Sequence, residues 1–185
     1  MLFEQLKRPF GYLFIKEVWG KGFYDWCYPA LLTLFTWVLF HFSGKTYSNL
    51  NADVISGLAA FVSNLPGFYI AALAAIATFQ SDKLDEFIET TSSTTPYIEY
   101  NVVDENKNVV SKQFPLKRRS FLTYMFAFLT ALSFLIVISS KLANLIPESS
   151  ILLLKFYSWG IFFVFYQMVV TTFCGLYYLG SRLNE

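Results

Sequence analysis

The residue types that carry most enzymatic and metal chemistry are scarce in this sequence. The single histidine is His41, and the two cysteines, Cys27 and Cys174, lie far apart and form no Cys-x-x-Cys pair. A structural zinc site takes about four Cys, His or carboxylate ligands, and the chain has no HExxH, GxSxG or glycine-rich phosphate-loop motif. We therefore predict no metal site, no cofactor and no catalytic residue, and we expect a protein that is not an enzyme.

One acidic cluster remains as a candidate cation site. Asp82, Asp85 and Glu86 follow a long hydrophobic stretch and open the longest polar connection of the chain. Carboxylates in such a place are typical of solvated charges beyond a helix end, and we interpret the cluster in that way. Because no site is evident from residue types alone, function is inferred from the secondary-structure elements of the chain.

Those elements are four long hydrophobic stretches. The chain of 185 residues is 55% hydrophobic and 15% charged, whereas a soluble domain is ~25% charged. A helix needs about 20 apolar residues to cross a bilayer whose hydrocarbon core is ~30 Å thick. We predict an all-α integral membrane protein in contact with the lipid bilayer, with transmembrane helices at 26–44, 53–80, 120–141 and 151–181.

The distribution of positive charge predicts the orientation of these helices. Of the 14 Lys and Arg residues, Lys45, Lys141 and Lys155 fall on one side of the predicted spans and the other 11 on the opposite side. Because Lys and Arg concentrate in cytoplasmic loops, the N-terminal segment 1–25, the connection 81–119 and the tail 182–185 are predicted to be cytoplasmic. Short outer connections favour an antiparallel bundle, and a net charge of +1 predicts no direct nucleic-acid binding.

The second predicted span contains two features. Pro66 removes a backbone donor, which predicts a kink with Asn64 as a polar partner for the freed carbonyl. Small side chains also recur every fourth residue and form a ridge suited to close helix packing: Ser63, Gly67, Ala71 and Ala75. Two interpretations stay open, namely packing within one bundle and an oligomer interface or the lining of a central opening.

The connection between the second and third predicted spans carries the only substantial polar segment. Two runs with apolar residues flank a polar turn, which predicts a β-hairpin over 97–114. A two-stranded hairpin alone is marginally stable in water, so we expect it to pair with a second copy or a partner protein. The alternative is a solvated loop. The candidate partner-binding residues are Tyr97, Tyr100, Val102, Val110 and Phe114.

A resemblance to a known family rests on the four-helix architecture and on three segments: LPGFYIAALAAIATF, KRRSFLTYMFAFL and TTFCGLYYLGSRL. Together they resemble the membrane subunit of the bacterial Kiwa anti-phage defence system. The resemblance implies an oligomeric, multi-pass protein of the bacterial inner membrane that senses infection and works with a cytosolic DNA-binding partner. It implies no functional residue.

The functional prediction is a non-enzymatic, homo-oligomeric membrane scaffold or sensor whose loop recruits a soluble cytosolic protein. The alternative is a pore- or channel-forming subunit with an uncharged lumen, because no charge lies deep in any predicted span and hydrophobic constrictions can gate a pore. An unrecognised membrane enzyme is the third hypothesis.

Overall fold

Four long helices dominate a computed structural model, which describes residues 5, 7–44, 46–47, 50–88, 95–103, 109–147 and 150–182. Each is long and apolar enough to cross a membrane, and we name them spans 1 to 4: Phe23–Ser43, Asp53–Thr78, Arg118–Leu142 and Ile151–Leu179. The prediction of four hydrophobic helices is confirmed. The helix of span 4 continues to Arg182, and span 1 begins before residue 26, so that it includes Asp25.

Span 3 is the central helix. Half of its apolar window, 50%, is buried, whereas only 6% of the corresponding window of span 1 is buried. Span 3 packs against spans 2 and 4, and span 1 packs chiefly against span 4. The side chain of Tyr157, early in span 4, donates a hydrogen bond to the carbonyl of Ser139, late in span 3, over 2.7 Å, so these two helices run antiparallel. Span 1 is therefore the peripheral helix of the structure.

Span 2 is built from three pieces. A π-helical turn, Leu50–Ile55, leads into the α-helix Ser56–Val62, and a second α-helix, Leu65–Thr78, follows after a break at residues 63 and 64. Pro66 lies in the first turn of the second α-helix, where a missing backbone N–H removes no helical hydrogen bond. The α-helix is thus interrupted at residues 63 and 64, just before the proline.

The N-terminal segment packs against span 3 instead of lying free. It forms a 3-10 helix, Arg8–Phe14. The ring of Tyr12 is fully buried and stacks on Phe128 with ring centroids 5.1 Å apart, while Phe10 meets the edge of the same ring at 6.2 Å. Burial of aromatic surface on the central helix therefore holds this segment in place.

The segment between spans 2 and 3 contains a short helix and a two-stranded sheet. The helix is Asp82–Asp85, and strands β1, Tyr97–Val103, and β2, Val109–Pro115, pair antiparallel. The predicted hairpin is confirmed, although its turn, residues 104–108, lies outside the described residues. A 3-10 turn, Ala143–Leu145, follows span 3.

Candidate functional site

Two arginines at the start of span 3 connect the hairpin region to span 2. The guanidinium of Arg119 forms two hydrogen bonds to the carboxylate of Asp85, 3.0 Å from Nε and 2.8 Å from Nη2. The same guanidinium donates to the carbonyls of Ile76 and Phe79, which lie at the end of span 2. These carbonyls lack helical partners at a helix end, so Arg119 satisfies them and holds spans 2 and 3 together.

The acidic cluster is part of this connection. Arg118 pairs with Glu86 over 3.0 Å, and the hydrogen bonds from Arg119 hold the pKa of Asp85 below its ordinary value. Asp85 and Glu86 are 48% and 57% exposed, so they are solvated charges, but they also pair with arginines, which sequence reasoning did not predict. The reason is tertiary, because the arginines that pair with them stand more than 30 positions later in the chain.

The base of the hairpin is held from the other side by the N-terminal segment. Lys16 and Tyr97 exchange two backbone hydrogen bonds, of 3.0 and 3.3 Å. The Lys16 ammonium also lies 2.8 Å from the carboxylate of Glu99, and this hydrogen bond lowers the pKa of Glu99 and raises that of Lys16. The hairpin is thus stabilised by contacts within its own chain. The sequence alone predicted stabilisation only by a second copy or a partner protein.

The register of the strands divides the predicted partner-binding residues between two faces. Val102 is opposite Val110, Tyr100 is opposite Lys112, and Phe114 is opposite Ile98. Side chains directly opposite each other project from the same face, and side chains along a strand alternate. Tyr100, Val110 and Phe114 therefore share one face with Ile98 and Lys112, which we call the hairpin face. Of Val102 the structure describes only the backbone pairing with Val110, and Tyr97 belongs to the other face.

Among the described side chains of the hairpin face, Ile98 is buried and the others are open. Ile98 is only 4% exposed, while Tyr100, Val110 and Phe114 are 44%, 50% and 39% exposed. The Tyr100 and Phe114 rings meet edge to face at 5.9 Å, and the Tyr100 hydroxyl hydrogen-bonds to the hydroxyl of Tyr124 in span 3. Tyr100 and Phe114 are thus oriented by internal contacts, and together with Val110 they still reach solvent.

The small-residue ridge of span 2 faces away from the rest of the chain. Its four members, like Asn64 beside them, are exposed, and a Cβ atom added at Gly67 would meet nothing within 4 Å. The buried face of the helix is carried instead by Val62, Tyr69 and Ile76. Packing of the ridge within one chain is therefore not what the structure shows. Its use between copies or around an opening stays a prediction.

A buried polar cluster at the start of span 1 was not found by sequence reasoning. Asp25 is 1% exposed and forms an ion pair with Lys21. The hydroxyl of Tyr12 donates to the Asp25 carboxylate over 3.2 Å, and the Gln167 amide donates to the Asp25 carbonyl over 3.0 Å. We call these four residues the polar cluster; it joins the N-terminal segment, span 1 and span 4.

The polar cluster also includes a cation–π contact, with the Lys21 ammonium 4.4 Å from the centre of the Tyr12 ring. Burial raises the pKa of the Tyr12 hydroxyl well above its ordinary range, so Tyr12 serves as a hydrogen-bond donor. Asp25 lies before the predicted bounds 26–44 and at the start of span 1, so it places no charge deep in that helix. The available signal was the i, i+4 spacing of Lys21 and Asp25, which is that of a helical ion pair.

The remaining candidates for chemistry are dispersed. Cys27 is exposed and Cys174 half-buried, and both are free thiols; His41 is exposed and stacks on Trp37 at 6.0 Å. Within the described residues, no group of three or more His, Cys, Asp or Glu side chains is placed to hold a metal ion. No protein-family model, curated protein or solved structure matches the chain.

Proposed function

We propose that this protein is a homo-oligomeric scaffold or sensor of the cell membrane whose hairpin recruits a soluble cytosolic partner. The observation that carries this proposal is the hairpin itself. Its base is held by backbone and ion-pair contacts, and its exposed Tyr100, Val110 and Phe114 offer an apolar surface. Exposed aromatic and aliphatic side chains on an ordered frame are typical of protein-binding surfaces, because little conformational entropy is lost on association.

The connection to the helices supports a sensing role. Strand β2 ends at Pro115, and span 3 begins at Arg118, only three residues later. Arg119 ties the same point to the end of span 2. A relative movement of spans 2 and 3 would therefore change the position of the hairpin, which gives a physical route from the membrane to a soluble partner.

The exposed ridge supports the oligomeric part of the proposal. Lipid tails and apolar side chains are equally hydrophobic, so helices associate in a bilayer mainly where small residues allow close contact. The ridge around Gly67 offers such a contact and is covered by nothing in the described part of this chain. We assign it to a second copy of the protein.

The positive charges support a cytoplasmic position for the hairpin and both termini, since Lys and Arg concentrate on that side. Reporter fusions after Leu183 and at Lys107 should give cytoplasmic signals, and fusions at Thr46 and Glu148 external ones. A cytoplasmic signal at Thr46 would refute the four-span topology. We include in this proposal the anti-phage role that the resemblance to the Kiwa membrane subunit implies. Phage plating on cells with and without the gene tests that role.

Two lysine substitutions test the hairpin. Val110→Lys places a charge on the hairpin face, whereas Ser111→Lys places the same charge one residue further along, on the opposite face; both positions are exposed. We expect Val110→Lys to remove co-purifying soluble protein while the oligomer keeps its size, and Ser111→Lys to leave both unchanged. Equal behaviour of the two variants would show that the hairpin face recruits nothing.

The second candidate function is a pore-forming subunit. It is favoured by one observation: the exposed side of span 2 carries Ser63 of the ridge and Asn64 next to it. Copies arranged around this side would form an opening lined by polar groups without a charge. Ion flux into liposomes that contain the purified protein separates the two candidates. Flux that a bulky residue at Gly67 abolishes would favour the pore over the scaffold.

A further inference from the structure

A cavity of about 600 Å³ opens between the end of span 1 and the start of span 4. It lies at the end of the helices opposite the hairpin, because the hairpin follows span 2 and precedes span 3. Its volume is within the range of ~300–1,000 Å³ typical of ligand sites. Its lining includes Trp37, Phe40, His41, Tyr47, Lys155 and Trp159.

The walls of the cavity are held by ring contacts. The Phe40 ring lies 4.8 Å from that of Tyr47 and 6.5 Å from that of Trp159, and Trp159 meets Tyr47 edge to face at 6.3 Å. Behind them lies a buried apolar cluster that includes Ile55 and Phe162. The aromatic surface is therefore fixed by packing within the chain and needs no ligand to form.

The ammonium group of Lys155 faces this aromatic surface. The Nζ atom of Lys155 lies 5.5 Å from the centre of the Tyr47 ring. Within the described part of the chain, no carboxylate lines the cavity, and Lys155 takes part in no ion pair. The imidazole of His41, stacked on Trp37, adds a second polar group that is able to donate a hydrogen bond.

This combination selects the charge of the ligand. An aromatic cage without a cation favours a quaternary ammonium group, but here Lys155 already occupies the face of Tyr47 and would repel a second cation. An anionic group beside Lys155 is favoured instead, and Lys is a common partner of phosphate. The apolar walls require that the same ligand carry a hydrophobic part.

We propose that this cavity binds an anionic phospholipid from the adjacent leaflet. Its phosphate lies on the Lys155 ammonium, and its glycerol and upper acyl chain lie against Trp37, Phe40 and Trp159. The position between the ends of two candidate spans is the depth at which aromatic side chains meet lipid headgroups. A water-soluble phosphate would gain nothing from these walls.

Lipid binding to the purified full chain tests the proposal. Protein in mild detergent is titrated with phosphatidylglycerol and with phosphatidylcholine of the same acyl chains, and bound lipid is counted by native mass spectrometry. The expected preference for phosphatidylglycerol is about fivefold, which corresponds to the ~1 kcal/mol that one Lys contributes near an anionic surface. Lys155→Gln should abolish the preference, and Lys155→Arg should retain it.

Lys141→Gln is the matched control. Lys141 is an exposed cation at the end of span 3, on the same side of the molecule as the cavity, and it does not line the cavity. This substitution should leave the preference unchanged. Trp159→Leu should weaken the binding of both lipids, since it removes a wall rather than the charge. Equal effects of Lys155→Gln and Lys141→Gln would overturn the proposal, and so would displacement of phosphatidylglycerol by an equal concentration of glycerol 3-phosphate.

Discussion

The buried ion pair of the polar cluster allows a quantitative test of the structure. The side chains of Lys21 and Asp25 are 10% and 1% exposed, so solvent screens their interaction little. Asp25→Asn keeps an oxygen that accepts from Tyr12 but leaves the ammonium without its counter-charge. Removal of one member of a buried pair costs about 3–5 kcal/mol of the free energy of unfolding, and we expect a loss of ~3 kcal/mol because Lys21 retains some contact with solvent.

A double-mutant cycle separates the pair from its surroundings. Lys21→Met should cost a similar amount, because it leaves a buried carboxylate with one hydroxyl donor. The double variant removes both charges and should cost far less than the sum, which gives a coupling free energy of about 3 kcal/mol, at the upper end for residues in direct contact. Unfolding by sodium dodecyl sulfate in mixed micelles, followed by tryptophan fluorescence, measures all four proteins.

The exposed Lys16–Glu99 pair is the matched control, with side chains 55% and 34% exposed. Its cycle should show much weaker coupling, since solvent and salt screen an exposed pair. Additive costs for Lys21→Met and Asp25→Asn, with a coupling no larger than that of the control, would refute the conclusion that this pair is buried.

Two further predictions concern the ridge and the arginine anchor. Gly67→Leu and Ala71→Leu should each weaken self-association by about 1 kcal/mol, the size of a close helix contact in a membrane. Gly57→Leu, equally open in the chain but not part of the ridge, should leave self-association unchanged. Oligomer mass in mild detergent measures this, and unchanged mass in all three variants would contradict a ridge interface. Arg119→Gln should increase hydrogen exchange of the hairpin amides, because the anchor to Asp85 is lost. The pKa of Asp85 is lowered from 3.8, so the contribution of the Arg119–Asp85 pair to stability is present above pH 3.8 and is lost as the pH falls through the lowered value. Hydrogen exchange that does not respond to the substitution or to this acidification would show that the pair does not hold the hairpin in place.

The hairpin illustrates a part of the fold that local sequence predicts well. Alternating apolar residues around a polar turn were enough to predict the strands, because side chains alternate along a strand in every sheet. The same pattern was not enough to divide the partner-binding residues. Alternation along β1 already separates Tyr97 from Tyr100, but only the register of the two strands decides that Val110 and Phe114 share the face of Tyr100.

The ridge and the polar cluster illustrate what local sequence leaves open. Spacing by four predicts that Ser63, Gly67 and Ala71 share a face, but it does not predict whether that face meets another helix of the same chain. The charge of Asp25 was likewise visible, yet its burial depends on Tyr12 and Gln167, which are 13 and 142 positions away.

The sequence by itself determined the four hydrophobic helices and the hairpin, because membrane-crossing length and strand alternation are properties of consecutive residues. Only the tertiary structure decided which helix is central, which way the ridge faces and which charges are paired. Those features depend on contacts between distant segments, since the same apolar helix can be buried, like span 3, or almost wholly exposed, like span 1. Neighbouring helices, rather than composition, set that difference.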